Sequence, residues 1–77
     1  SVMPVPASDI LRLGNVPANV ARVDVLDMTG RSVISKTWGN APTGTVDVMA
    51  LESAPYVLRL VDRSGVVLGQ RTVLVQH

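Results

Sequence analysis

The side chains here that could act on a substrate or hold a metal are one histidine, five aspartates, one glutamate, six arginines and a lysine. Their placement argues against catalysis. His77 is the last residue given, and a frayed end does not hold a general base to the tolerance proton transfer needs. Cysteine is missing, so thiolate chemistry and disulfides are excluded, and the nucleophile–base pairs of serine and cysteine hydrolases cannot be assembled. Asp27-Met28-Thr29-Gly30 and Asp62-Arg63-Ser64-Gly65 share an Asp-x-(Thr/Ser)-Gly form. A catalytic carboxylate pair in a cleft needs far more chain than this, and both segments read as capped turns. Asp24, Asp27, Asp47 and Asp62 are too dispersed for a compact oxygen-ligand loop, so no metal is expected. No glycine-rich phosphate cradle precedes a helix, and no cofactor is expected. The arginines, at 12, 22, 31, 59, 63 and 71, are spread along the chain, which favours plain solubility over an anion-binding patch. Trp38 reads as a lid on the core, and Tyr56 as a core residue whose hydroxyl finds a partner at a strand end.

The scaffold that positions these residues is small. Seventy-seven residues and 8.2 kDa allow one domain, 1–77, with an extended lead-in over 1–8. Hydrophobic residues make up 47% and charged residues 17%, a balance that excludes intrinsic disorder. A net charge of +1 provides no sustained field towards nucleic acid. The longest uncharged stretch, Thr37 to Val46, carries Gly, Asn, Pro and Thr and is no membrane-spanning helix. Fifteen valines stand against eight leucines and two isoleucines, with aromatics at 3%. Valine is stiff at its first torsion and packs well on a pleated surface, so the composition leans all-β.

Strands follow from the alternation. Ile10–Leu13 is a short strand stopped by Gly14-Asn15. Ala21–Asp27 and Arg31–Thr37, joined through Gly30, form a hairpin with a bulged loop, in which Asp27 caps the turn and Gly30 supplies the positive φ. The same grammar predicts a hairpin of Tyr56–Val61 and Val66–Gln70 around Gly65. Thr45–Met49 alternates as a strand, Ala50–Ala54 has the length of one helical turn, and Arg71–Gln76 makes a last strand after Gly69. Such a series predicts a small sandwich of about seven antiparallel strands.

Four blocks of this chain, in order, resemble the C-terminal sorting domain of type IX secretion cargo, the Por secretion tail family. Pro4-Val5-Pro6-Ala7-Ser8-Asp9-Ile10-Leu11 is similar to the family's opening Pro-Asn-Pro-x-x-Asp-x-Leu, with Val5 in place of Asn. Val23 to Arg31 resembles its alternating strand that ends in Asp and is followed by x-x-Gly-Arg. Val46 to Leu51 with Tyr56 to Leu60 resembles the third block, although Glu52, Ser53 and Ala54 stand where Pro, Ala and Gly are common. Gln70 to Gln76 fits the closing strand.

The resemblance implies an immunoglobulin-like sandwich that serves as an address label, not an enzyme. It implies recognition by the type IX translocon and attachment components in a Gram-negative bacterium, with transit through the periplasm to the outer-membrane surface or the medium. It also implies removal by a sortase-like protease that joins the cargo to anionic lipopolysaccharide. The alternative within the same resemblance is an uncleaved domain retained at the surface as an anchor or lipopolysaccharide binder; a plain structural spacer is the reading from a different class. On this basis the expected recognition residues are Pro4, Pro6, Asp9, Asp27, Gly30, Arg31, Arg71, Val73, Val75 and Gln76. The segment from Gln70 to Gln76 is the expected edge for strand addition, with a strand-exchanged dimer as its homotypic form. Deleting Val73 to His77 should then abolish export.

Overall fold

A computed structural model describes residues 7–77, so positions 1–6 of the expected 1–8 lead-in, with Pro4 and Pro6, lie outside the described residues. Six strands follow in chain order: β1 (Ile10–Leu13), β2 (Val20–Leu26), β3 (Ser32–Thr37), β4 (Gly44–Asp47), β5 (Ala54–Asp62) and β6 (Val67–Val75). All named pairs are antiparallel, in a four-stranded sheet ordered β3-β2-β5-β6 and a two-stranded sheet of β1 and β4. The expected all-β sandwich is therefore present, with six strands in place of about seven.

The missing strand boundary lies at Gly69. Expected to end one strand and open another, Gly69 instead pairs with Leu60 inside a continuous β6. The register jumps from Leu60↔Gly69 to Val61↔Val67, so Leu68 is the extra residue of a β-bulge. Glycine next to a bulge marks a kink in the ladder and need not terminate it. The stretch Ala50–Ala54 also departs from its expected helical turn. Asp47 Oδ1 accepts the Met49 N–H at 2.9 Å, and Val48 O accepts the Leu51 N–H at 3.0 Å, closing a hydrogen-bonded turn that leads into β5. The positive-φ residues without a glycine are Asn15 and Asn40, so Ala54 occupies its place without left-handed strain.

Valine supplies the core. Val20, Val23, Val25, Val48 and Val75 are fully enclosed, and Val46 and Val61 are 1% exposed. Arg22, Asp24 and Ser35 lie on the opposite face of the four-stranded sheet, where Asp24 accepts from both Arg22 Nε and Ser35 Oγ. One sheet face thus packs inward and the other meets water, as expected for antiparallel strands.

Trp38 closes one side of the sandwich as the expected lid. It is 6% exposed, its Nε1–H donates to Ala41 O at 2.9 Å, and its ring lies where a Cβ on Gly44 would stand. Beside it, Lys36 places its Nζ 5.6 Å from the Trp38 ring centroid and donates to Thr45 O at 2.6 Å, linking β3 to β4. Tyr56 is buried with its hydroxyl donating to Glu52 O at 2.8 Å, in keeping with its sequence reading.

Candidate recognition edge

The two Asp-x-x-Gly turns are built alike. In the first, Asp27 Oδ1 accepts the N–H groups of Thr29 and Arg31, each at 3.0 Å, and the Thr29 hydroxyl. In the second, Asp62 Oδ1 accepts the N–H groups of Ser64 and Val66, each at 2.9 Å. Gly30 and Gly65 take φ of 91° and 88°, the left-handed geometry each turn requires. The Thr29 hydroxyl above all, with the N–H groups of Arg31 and Thr29 and the Arg31 guanidinium, holds the Asp27 carboxyl below its ordinary pKa against an opposing desolvation. What distinguishes the first turn is Arg31. Its side chain is 78% exposed and its Nε lies 3.4 Å from Asp27 Oδ2, so a guanidinium stands in solvent on a rigid turn. A bulky neighbour is absent around Gly30, and the turn can be approached closely.

β6 is the outer strand of the four-stranded sheet, and its main-chain parity sets which groups face outward. Ala7 N–H donates to Leu74 O at 2.9 Å, and Gln76 N–H donates to Ala7 O at 2.8 Å, a parallel bridge opposite Val75. Leu74 and Gln76 therefore point away from β5, and so do Thr72 and Gln70 by alternation. The odd-numbered residues Arg71, Val73 and Val75 bond to β5. The same parity accounts for Pro55: opposite Leu74, it faces away from β6 and past the end of β2, where its missing donor costs no ladder bond.

Beside this edge the sandwich is open. A cleft of about 850 Å³ lies between β1 and the inner face of β5 and β6, lined by Leu11, Leu13, Leu58, Leu60, Gly69 and Val73, with Arg12 and Arg71 at its margin. The two outer strands also differ in sequence: β3 is polar and carries Lys36, whereas β6 begins with exposed Val67 and Leu68 after Val66 and carries no lysine. Charged side chains on an edge, lysine above all, resist unwanted pairing, and on β6 Arg71 is the one charged residue.

The expected recognition residues do not converge on one surface. Asp27, Gly30 and Arg31 form the β2–β3 turn, while Arg71, Val73, Val75 and Gln76 belong to β6 and its end. Asp9 leads into β1 and accepts the Val48 N–H at its carbonyl, at 2.8 Å. Val73 and Val75 are 8% and 0% exposed and face the core, so their side chains offer nothing to a reader of the folded domain. The outward groups are those of Gln70, Thr72 and Leu74, none of which was among the expected recognition residues, although all three lie in the expected edge segment from Gln70 to Gln76. Pro55 was the available signal, since a proline fixes the parity of the strand pair it joins. His77 is not free: its N–H donates to Ser53 Oγ at 2.9 Å and its Nε2 lies 2.6 Å from Leu51 O. Among the described residues no cluster of three or more His, Cys, Asp or Glu could hold a metal.

No curated protein and no solved structure matches this chain. The family described as the secretion system C-terminal sorting domain matches over residues 1–75, nearly the whole length. With an all-β domain that offers a main-chain edge and a turn-borne arginine, the chain belongs to the type IX secretion C-terminal sorting domain family, whose members are sorting signals for export across the outer membrane and not enzymes.

Proposed function

We propose that the type IX machinery reads this domain by adding a strand to β6, with Arg31 as a second contact. One observation carries the reading: β6 is an outer strand whose Gln70 and Thr72 main-chain groups and Leu74 N–H have no partner among the described residues. Strand addition draws affinity from such groups and specificity from side-chain pockets beside them. The adjoining cleft, with Leu11, Leu58, Leu60 and Val73 in its wall and Arg12 and Arg71 at its margin, supplies such a pocket.

After passage from the periplasm, a sortase-like protease removes the domain and joins the cargo to anionic lipopolysaccharide. The retained alternative, an uncleaved surface anchor, draws support from Arg12 and Arg71, which line the same cleft, because guanidinium groups suit acidic sugars.

The test fuses residues 1–77 to an inert periplasmic reporter in a host with the machinery. Deleting Val73 to His77 would remove two core valines together with the edge, confounding folding with reading. Thr72→Pro removes an outward donor and leaves the β5 ladder intact. Expected is a folded domain whose export falls roughly tenfold, the scale of one or two lost hydrogen bonds. Undiminished export of the folded variant overturns edge reading. Reporter outside the cell without residues 1–77 supports cleavage, and reporter held at the surface with them supports the anchor.

A further inference from the structure

We infer, resting on the edge reading proposed above, that the receptor strand which pairs with β6 is acidic: it carries an aspartate or glutamate opposite Arg71, between two apolar residues. The inner face of the four-stranded sheet holds two cations, one on each outer strand. Lys36 shares the face of its register partner Val23, and Arg71 shares the face of Leu58. Lys36 is satisfied, since its Nζ donates to Thr45 O at 2.6 Å and lies 5.6 Å from the Trp38 ring centroid. Arg71 is not. In its cleft β1 contributes no carboxylate but a second cation, Arg12. Among the described residues neither guanidinium has an ion pair or a side-chain hydrogen bond; the arginines so engaged are Arg22, Arg31 and Arg59.

No Asp or Glu among the described residues lines the cleft, and residues 1–6 include none in the sequence. Two like charges beside a low-dielectric wall repel each other and attract an anion. The wall selects the kind of anion. It is mostly aliphatic, with Leu11, Leu13, Leu58, Leu60 and Val73, and neither Trp38 nor Tyr56 borders it. The hydroxyls of a sugar would lose water there with few partners in return, whereas a carboxylate on an apolar, extended segment loses little.

Strand parity places the acid. On β6 the Ala7 bridge opposite Val75 and the bulge at Leu68 bound a regular stretch from Gly69 to Val73. A strand that bonds to the Gln70 and Thr72 main chain turns every second side chain inward, opposite Gly69, Arg71 and Val73. The side chain opposite Arg71 is the acid. Its neighbour opposite Gly69 has open space, since no atom lies within 4 Å of where a Cβ on Gly69 would stand. The neighbour opposite Val73 meets a core valine. The partner therefore reads apolar-x-acid-x-apolar, in either chain direction.

Nuclear magnetic resonance titration of isotope-labelled 1–77 tests this with two capped peptides, Ser-Leu-Thr-Glu-Thr-Leu-Ser and its counterpart with Gln in place of Glu. The Glu peptide is expected to shift the Gln70 and Thr72 amides and to bind about fivefold tighter, the scale of one guanidinium–carboxylate pair in a partly open site. Arg71→Gln, at an exposed position and checked for the parent Tm, removes that preference. Arg63→Gln removes the same charge from the exposed β5–β6 turn and keeps it. Equal binding of the two peptides, no binding of either, or a preference that survives Arg71→Gln overturns the acidic partner. Tighter, Arg71-dependent binding of trigalacturonate than of the Glu peptide overturns it in favour of an acidic sugar. The two readings fail separately. Equal binding with shifts at Gln70 and Thr72 leaves edge pairing standing while the acid falls. An Arg71-dependent preference whose shifts miss Gln70 and Thr72 keeps the cleft as an acid site and overturns the strand pairing.

Discussion

At the scale of residues, two side chains decide most of what the sequence makes visible. Asp27 accepts three hydrogen bonds through one oxygen and is held below its ordinary pKa chiefly by the Thr29 hydroxyl. A carboxyl whose pKa is lower folded than unfolded contributes stability above its unfolded value and loses it as pH falls through the folded one. Asp27→Ala therefore melts lower than the parent at neutral pH, and the gap in Tm closes as pH drops below the ordinary value of 3.8. A gap that persists unchanged in acid would show that the bonds do not depend on the charge. Gly44 is constrained differently: the Trp38 ring fills the place of its Cβ. Gly44→Ala forces the lid outward at a cost of about 1–3 kcal/mol, measured by urea unfolding, with a red shift in Trp38 fluorescence. Gly30 and Gly65 have open space and are required for φ alone.

At the scale of elements, β6 combines two roles in alternate residues. Its odd positions complete the ladder to β5 and put Val73 and Val75 in the core, and its even positions face outward. Proline scanning separates the two sets. Val73→Pro removes a ladder donor and costs about 3 kcal/mol or more, whereas Thr72→Pro costs less than about 1 kcal/mol. Equal losses in thermal or urea unfolding would place Thr72 inside the ladder and remove the basis for reading at this edge. The bulge at Leu68 kinks the start of the same strand where exposed Val66 and Val67 precede it. Bulges re-aim an edge, so the regular ladder of β6 is confined to its later half.

At the scale of the whole molecule, the sandwich is closed on one side and open on the other. Trp38 over Gly44 and Lys36 to Thr45 seal the β3–β4 side, while β1 and β6 stand apart across the cleft. A domain this small buries few large side chains, and its stability rests on a short list of valines. Val25→Ala, at a fully enclosed site packed between the sheets, costs about 2–3 kcal/mol by urea unfolding. That is a sizeable share of the roughly 5 kcal/mol expected at the low end for single domains. A loss under about 1 kcal/mol would mean the core relaxes around the gap.

Local chemistry alone determined the strand-rich class, both capped turns and the buried roles of Trp38 and Tyr56, because alternation, turn residues and valine content act over a few neighbours. It also carried the family, since the Pro-x-Pro opening and the Asp-x-x-Gly-Arg block sit in order along the chain. The continuity of β6 through Gly69 was not legible, because a glycine that ends a strand and one that flanks a bulge look alike until the partner strand is placed. Nor was the division of β6 into inward Val73 and Val75 and outward Thr72 and Leu74. Only tertiary structure decided these, since which main-chain groups remain unpaired depends on the strands that occupy each flank.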